Sequence, residues 1–118
     1  MSGGFNERIL NDYYSFNTVS NKWTKAELDG EVPGPRERGT LAPYLEDKLV
    51  LFGGYYCSSD MEAEYYLNDC YVLNITLMEW VKPNIEGEAP PKRSAHTADF
   101  IKEKMYVFGG ISYQYKFF

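Results

Sequence analysis

The residues that could carry out chemistry in this chain are few and scattered. His96 is the only histidine, and Cys57 and Cys70 are the only cysteines, at a spacing that fits no zinc-binding pattern. No nucleophile and orienting group recur beside His96, as a catalytic base would require. Glycine-rich phosphate loops, paired catalytic carboxylates and clusters of metal ligands are not found either. The sequence therefore predicts no enzyme, no metal and no cofactor, and it indicates that His96 is a buried hydrogen-bonding residue.

The densest group of candidate binding residues lies between residues 55 and 67, where tyrosines flank a short acidic stretch. This segment is predicted to be a loop, seven residues longer than the corresponding stretch 5–10. Such an excess is either slack on the surface or a functional elaboration, and both interpretations stay open. If the loop binds a partner protein, the candidate contacts are Tyr55, Tyr56, Asp60, Glu62, Glu64 and Tyr65.

The elements that would position this loop follow from an internal repeat. Apolar stretches end in a diglycine at Gly53, Gly54 and again at Gly109, Gly110, and residues 2–4 resemble a truncated third copy. A second set of landmarks recurs at one constant offset, in which Asn11, Asp12 and Trp23 match Asn68, Asp69 and Trp80. Residues 11–33 and 68–90 agree at nine of twenty-three positions without a gap. The offset between the two diglycines is one residue shorter, which places a gap at Gly34.

Hydrophobic alternation and turn residues divide each repeat into short strands. Strands are predicted over 11–17, 23–27, 40–45, 48–52, 69–73, 79–82, 95–101 and 104–108. Gly and Pro break regular structure over 29–35 and 84–91, which are predicted to be connectors. No useful length of sequence has helical periodicity. The chain is therefore expected to be an all-β repeat.

Composition excludes two classes of function. The 118 residues carry a net charge of −5 with Lys and Arg scattered, so a nucleic-acid-binding surface is not expected. No stretch reaches the roughly 18 apolar residues of a membrane span, and residues 1–4 do not begin a secretory signal. The sequence predicts a cytoplasmic protein with reduced cysteines and no membrane insertion.

These landmarks together resemble a kelch repeat, a unit of about 50 residues that builds one blade of a β-propeller. The connector carries further matches, namely Gly87, Pro90, Pro91, Arg93 and His96. The resemblance implies blades of four antiparallel strands, numbered from the innermost outward, with the diglycine ending the second strand. It divides the chain into the two outer strands of one blade (1–37), a complete blade (38–83), and the two inner strands of a third blade with a tail (84–118).

The resemblance also implies structural roles for the shared residues. The diglycines make a sharp turn, Trp23 and Trp80 fill the wedge between blades, and Asp12 and Asp69 accept backbone hydrogen bonds. The first connector has Glu37 and Thr40 where the second has Arg93 and His96, unless Arg38 substitutes after a local shift. Copper oxidases occur among kelch propellers, but a single histidine does not suffice for their metal site.

Eight strands make only two blades' worth, so the sequence predicts an incomplete ring. Either the chain is a segment of a longer propeller, or the inner strands 95–109 pair with the outer strands 11–27 of another copy, in which case three or four copies give six or eight blades. The predicted function is a protein-interaction scaffold. The alternative is part of an enzyme whose small-molecule site lies in the central channel of a complete ring.

Overall fold

A computed structural model describes residues 5–6, 8–9, 12–58, 63–113 and 116–118. Residues 3, 4, 11, 60 and 62, which the sequence analysis singled out, lie outside these ranges. The described strands are β1 (Phe5–Asn6), β2 (Arg8–Ile9), β3 (Tyr14–Asn17), β4 (Lys22–Lys25), β5 (Asp29–Gly30), β6 (Thr40–Tyr44), β7 (Lys48–Cys57), β8 (Glu64–Asn74), β9 (Glu79–Val81), β10 (Thr97–Ile101), β11 (Lys104–Phe108), β12 (Ile111–Ser112) and β13 (Lys116–Phe117). No element of the described chain is an α-helix, which confirms the prediction of an all-β fold.

The centre of the molecule is a five-stranded sheet in the order β5, β9, β8, β7, β6. Strands β6 to β9 pair antiparallel in sequence order; we call these four strands the middle blade. Val50, Leu51 and Phe52 of β7 are all buried, because neighbouring elements cover both faces of this strand. The apolar stretch before the first diglycine thus forms the core strand.

Two further hairpins flank the middle blade. We call β3 with β4 the first hairpin and β10 with β11 the last hairpin. The short antiparallel pairs β1 with β2 and β12 with β13 lie outside them in the chain. In the first hairpin the Asn17 side chain accepts hydrogen bonds from the backbone N–H groups of Val19 and Ser20, which closes the turn. Each hairpin is an antiparallel pair of strands that lies outside the five-stranded sheet. No sheet in the described chain closes into a ring, which agrees with a partial propeller.

Strand β5 was not predicted. Residues 29–35 were expected to form a connector without regular structure, but Asp29 and Gly30 pair in parallel with Glu79 and Trp80 of β9. Gly30 permits this because a Cβ atom at that position would lie 2.2 Å from the carbonyl oxygen of Trp80. The segment that follows the first hairpin is therefore hydrogen-bonded to the outer edge of the middle blade.

The two repeats differ in length by one residue at a hairpin turn, and not at the position predicted from the sequence. The Thr40 and Thr97 hydroxyls each donate to the carbonyl of a phenylalanine across their hairpin, Phe52 and Phe108, yet the two threonines are one residue further apart than the two phenylalanines. Three residues (45–47) join β6 to β7, whereas two (102–103) join β10 to β11. The gap thus lies in this turn, because surface turns lose residues without disturbing strand pairing. The gap predicted at Gly34 was wrong.

The two tryptophans occupy different environments. Trp80 is 1% exposed and packs with Leu51 and Leu73, against Tyr13 of the segment before β3. Trp23, its counterpart in the repeat, is 69% exposed, with Phe16 beside it at 4.9 Å between ring centroids. Trp80 thus packs between the middle blade and the residues on either side of the first hairpin, Tyr13 and Leu28. The corresponding face of the first hairpin is exposed in the described chain.

Candidate functional site

The predicted loop over residues 55–67 is largely a β-hairpin. Strand β7 continues past the diglycine to Cys57, and β8 begins at Glu64, so residues 58–63 alone join the two strands. The register shifts between Phe52 and Gly54, which is a β-bulge that lets β7 bend and carry on. The prediction that strand pairing stops at the diglycine was wrong, because the bulge absorbs the irregular backbone. We call residues 55–57 and 64–66 the hairpin extension.

Tyrosine side chains cover the hairpin extension. Tyr55 pairs across the strands with Tyr66, and Tyr56 with Tyr65, at ring-centroid distances of 5.2 and 5.9 Å. Tyr113 adds a third ring beside Tyr66 at 4.9 Å, and its hydroxyl accepts a hydrogen bond from the Tyr66 backbone N–H. Four of the six predicted contact residues, Tyr55, Tyr56, Glu64 and Tyr65, therefore lie on one rigid hairpin. Tyr113 was not among the predicted contact residues.

Glu64 is held by Tyr55. The Tyr55 hydroxyl donates a hydrogen bond of 2.9 Å to Glu64 Oε1. Partial burial raises the pKa of the Tyr55 phenol above its ordinary value, and the hydrogen bond to the Glu64 carboxylate raises it further. The phenol accordingly keeps its proton at neutral pH, and its hydrogen bond fixes the position of the Glu64 carboxylate.

A cleft of about 360 Å³ opens beside the hairpin extension. Its walls are aromatic, made by Tyr56 and Tyr65 from the extension and by Tyr71 further along β8, and Tyr65 is 48% exposed. Arg36 and Asp69 supply the polar part of the lining. The cleft thus combines flat apolar walls with a small number of fixed polar groups, as binding sites commonly do.

Arg36 fixes the polar part of the cleft and was missed by the sequence analysis. It is 4% exposed, and its Nε and Nη1 donate to the carbonyl oxygens of Gly34 and Gly53, each at 3.2 Å. Nη1 and Nη2 also contact the two carboxylate oxygens of Asp69, with 3.1 Å between Nη2 and Oδ2. Asp69 was expected to accept backbone hydrogen bonds; it instead forms a bidentate ion pair, because the diglycine carbonyl brings Arg36 to it.

The counterpart of Arg36 is Arg93. Its Nε donates to the Pro91 carbonyl and its Nη1 to the Gly109 carbonyl, both at 3.0 Å, and these contacts reproduce the Arg36 pattern in the next repeat. The predictions that Glu37 or Arg38 takes this position were wrong. An ungapped alignment continued three residues past Pro33 would have matched Arg36 with Arg93. By the same register Gly39, and not Thr40, corresponds to His96.

His96 lies at the joint between the middle blade and the last hairpin. It is 6% exposed, with Nε2 at 2.8 Å from Thr40 Oγ1 and its ring edge-on to Phe52. A Cβ atom at Gly53 would lie 2.8 Å from His96 Cε1, so the diglycine leaves room for this ring. Burial lowers the pKa of His96 from its ordinary value of 6.5 and the Arg93 cation lowers it further, against a backbone hydrogen bond to Phe52 that raises it.

Because the folded state disfavours protonated His96, stability is expected to fall as the pH is lowered. The unfolded chain takes up a proton near pH 6.5, whereas the folded chain takes it up at lower pH, so acid favours unfolding below neutral pH. Urea denaturation of the wild type and His96→Gln at pH 7.5, 6.5 and 5.5 measures the effect. The wild type should lose more stability than the variant over this range. Parallel losses would contradict the assignment.

The described residues offer little for catalysis. They contain no group of three or more His, Cys, Asp or Glu side chains that could hold a metal ion. Burial and the neighbouring Asp69 charge raise the pKa of the Cys70 thiol, which favours its unreactive form. Within the described ranges, no helix is long and apolar enough to cross a membrane.

Comparison with known proteins agrees with this geometry. The family model described as the KLHDC2/KLHL20/DRC7 Kelch-repeats domain matches residues 1–117. Host cell factor 2 of Homo sapiens is 36% identical over 112 residues, and host cell factor 1 of Rattus norvegicus is 37% identical over 112 residues, in each case over 87% of this chain. Kelch domain-containing protein 3 of Bos taurus is 34% identical over 110 residues, 92% of this chain.

The matched segments make up a small part of those relatives. They cover 13% of host cell factor 2, 5% of host cell factor 1 and 28% of kelch domain-containing protein 3. The family match nevertheless spans nearly all of this chain, and the repeated diglycines, the Arg36 and Arg93 contacts and the four-stranded middle blade agree with it. The chain belongs to the kelch-repeat family.

Proposed function

We propose that this chain is a protein-interaction module whose partner binds in the cleft beside the hairpin extension. The observation that carries the proposal is the set of tyrosines held on a two-stranded extension of the core sheet. Tyr56 and Tyr65 project from β7 and β8, and both strands continue into the buried part of the middle blade. Aromatic side chains fixed in this way give large contact areas at a small entropy cost on binding.

The polar part of the cleft suits an extended peptide. Arg36 is satisfied by two carbonyls and by Asp69, so its charge is neutralised within the protein. The Asp69 side chain is still 28% exposed and can accept hydrogen bonds from backbone N–H groups of a partner. We infer that flat tyrosine walls hold partner side chains while Asp69 fixes the register of the partner backbone.

We further propose that this binding takes place in the cytoplasm. No disulfide joins Cys57 to Cys70, which suits a reducing compartment. Fractionation of cells that express the tagged chain measures its location directly, and recovery in the secreted fraction would contradict the proposal.

Peptides selected from a displayed random library on the wild-type chain provide a defined probe of the cleft. Tyr65→Ser is expected to weaken binding of these peptides at least tenfold, about 1.4 kcal/mol, since aromatic residues in a cleft dominate binding energy. Tyr106→Ser is the matched control, because Tyr106 is similarly exposed on the last hairpin but does not line the cleft. Equal affinities for Tyr65→Ser and the wild type would place binding elsewhere.

A further inference from the structure

A second interaction surface follows from how the first hairpin packs on the middle blade. Trp80 and Leu73 are buried at this joint. The side chains packed around them include Tyr13 and Leu28 from the preceding repeat, and Leu49 and Leu51 from β7. The joint is thus a tryptophan site with two walls, one from each repeat.

The same positions recur at the other end of the chain. One repeat later, the counterparts of Tyr13, Leu28, Leu49 and Leu51 are Cys70, Ile85, Met105 and Val107. These four side chains line an apolar groove of about 450 Å³ between the middle blade and the last hairpin, which we call the C-terminal groove. The walls of the tryptophan site are therefore built a second time.

The side chains that would fill such a site are exposed on the first hairpin. Tyr14, Phe16 and Trp23 are the counterparts of Tyr71, Leu73 and Trp80. They are 55%, 44% and 69% exposed and lie on one face of β3 and β4. One copy of the chain thus carries both a site and the hairpin that fits it, at opposite ends.

We propose that the C-terminal groove binds the first hairpin of a second copy of this chain, head to tail. Strand β3 of the second copy pairs antiparallel with β11, as β8 pairs with β7. The register of β7 and β8, in which Leu49 faces Leu73 and Leu51 faces Tyr71, sets Met105 opposite Phe16 and Val107 opposite Tyr14. Trp23 of the second copy then enters the groove between Ile85 and Met105.

Charges at the two surfaces are complementary. Arg36 pairs with Asp69 within the middle blade, and the corresponding residues across the proposed joint are Arg93 and Asp12 of the second copy. Arg93 forms no ion pair with any carboxylate in the described part of the chain, and Asp12 is exposed. The joint brings this cation and this carboxylate together in the geometry that Arg36 and Asp69 already show.

The internal joint and the proposed joint have a glycine at equivalent positions, Gly30 and Gly87. Gly30 lies against the Trp80 backbone, where a Cβ would be 2.2 Å from the carbonyl oxygen. Its counterpart Gly87 has a similar φ of +81°, but a Cβ there would meet nothing within 4 Å. In the internal joint Asp29 pairs with Glu79. At the equivalent positions of the proposed joint, Glu86 pairs with Lys22 of the second copy, and Gly87 lies against Trp23 of that copy. Alanine at position 87 meets no neighbouring atom in the isolated chain, where it adds only the backbone strain of a positive φ, whereas it clashes in the joint.

Strand β13 competes with the incoming hairpin. Phe117 pairs with Ile111 as Tyr66 pairs with Tyr55. Strand β13 therefore occupies the place that the beginning of the incoming strand, the counterpart of β8, would take. In a second copy, Ile9 of β2 takes the same place, since it pairs with Phe5 in the same way. Docking of the second copy must displace β13, which predicts that removal of residues 114–118 strengthens association.

Light scattering on purified chains tests the proposal through two complementary variants. Trp23→Ala leaves the groove intact and removes the inserted ring, whereas Gly87→Ala leaves the hairpin intact and obstructs the groove. The wild type is expected at multiples of 13.6 kDa that rise with concentration, and each variant alone at 13.6 kDa. An equimolar mixture of the variants should give a complex of twice that mass that grows no further, because only one productive joint remains.

The outcomes separate the proposal from simple loss of folding. Far-UV circular dichroism should show that both variants are folded, since Trp23 is exposed and a Cβ at Gly87 meets no neighbour; the urea midpoint of Gly87→Ala should fall slightly, because alanine is strained at the positive φ of this position. A wild type that keeps the mass of a single chain at all concentrations, or a mixture without the paired complex, would overturn the proposal. A chain ending at residue 113 should associate at lower concentration than the wild type, and unchanged or weaker association would also count against it. The cleft beside the hairpin extension takes no part, so failure here leaves the proposed function untouched.

Discussion

Trp80→Ala is expected to lower the free energy of unfolding by about 3–5 kcal/mol, the usual cost of removing a large ring from a packed core. Trp80 is 1% exposed and contacts Leu51, Leu73 and Tyr13, so its loss leaves a cavity across the joint between two blades. Folded domains are commonly stable by only about 5–15 kcal/mol, so this variant should be at the limit of folding. Urea denaturation followed by circular dichroism measures the loss.

The repeat supplies the control for this experiment. Trp23→Ala changes the same residue type at the equivalent strand position, but the Trp23 side chain is 69% exposed. Measured at low concentration, where copies do not associate, it should change stability by less than about 0.5 kcal/mol, as surface substitutions usually do. Similar losses from both substitutions would show that the two joints are equally packed, contrary to the structure.

Arg36→Met is expected to cost about 3 kcal/mol, because it removes the buried partner of a partly buried ion pair and leaves two carbonyl oxygens and a carboxylate without this donor. The side chains of Arg36 and Asp69 are 5% and 28% exposed. Lys48→Met is the matched control, since Lys48 pairs with Asp47 across a surface where both side chains are about one-third exposed. That pair should contribute less than about 1 kcal/mol.

The same denaturation experiment separates the two ion pairs. A loss from Arg36→Met no larger than that from Lys48→Met would mean that the Arg36 contacts do not hold the connector against the diglycine. A double variant, Arg36→Met with Asp69→Leu, should recover part of the stability, because it replaces the unpaired carboxylate with an apolar side chain.

The strands of the blades were predictable because each is marked by local chemistry. Val50 to Phe52 form an apolar stretch before glycine, and Trp23 and Trp80 sit in equivalent hairpins, so period and turn residues agreed with the final pairing. The connector was harder to interpret. Whether Arg36, Glu37 or Arg38 corresponds to Arg93 depends on where one residue is lost between the repeats. That residue is lost at the turn over residues 45–47, whose composition is not distinctive.

The hairpin extension could not be predicted for a different reason. Its tyrosines alternate with no clear apolar face, and acidic residues interrupt the segment, so the pattern is typical of a loop. The pairing of Tyr55 with Tyr66 depends on the bulge at Gly54 and on Tyr113 from a distant part of the chain. Tertiary contacts of this kind leave no local signal. The burial of Trp80 and the exposure of Trp23 likewise depend on neighbouring elements, which the similar local sequences do not reveal.

The parallel pairing of β5 with β9 affects how the chain folds during its synthesis. Asp29 and Gly30 leave the ribosome about fifty residues before Glu79 and Trp80, because the chain is made from the N-terminus. Strand β9 therefore meets a ready partner on its outer side as soon as it is made. Once the two strands pair, the outer side of β9 is covered at Glu79 and Trp80, which limits the joining of nascent chains through that side of the sheet.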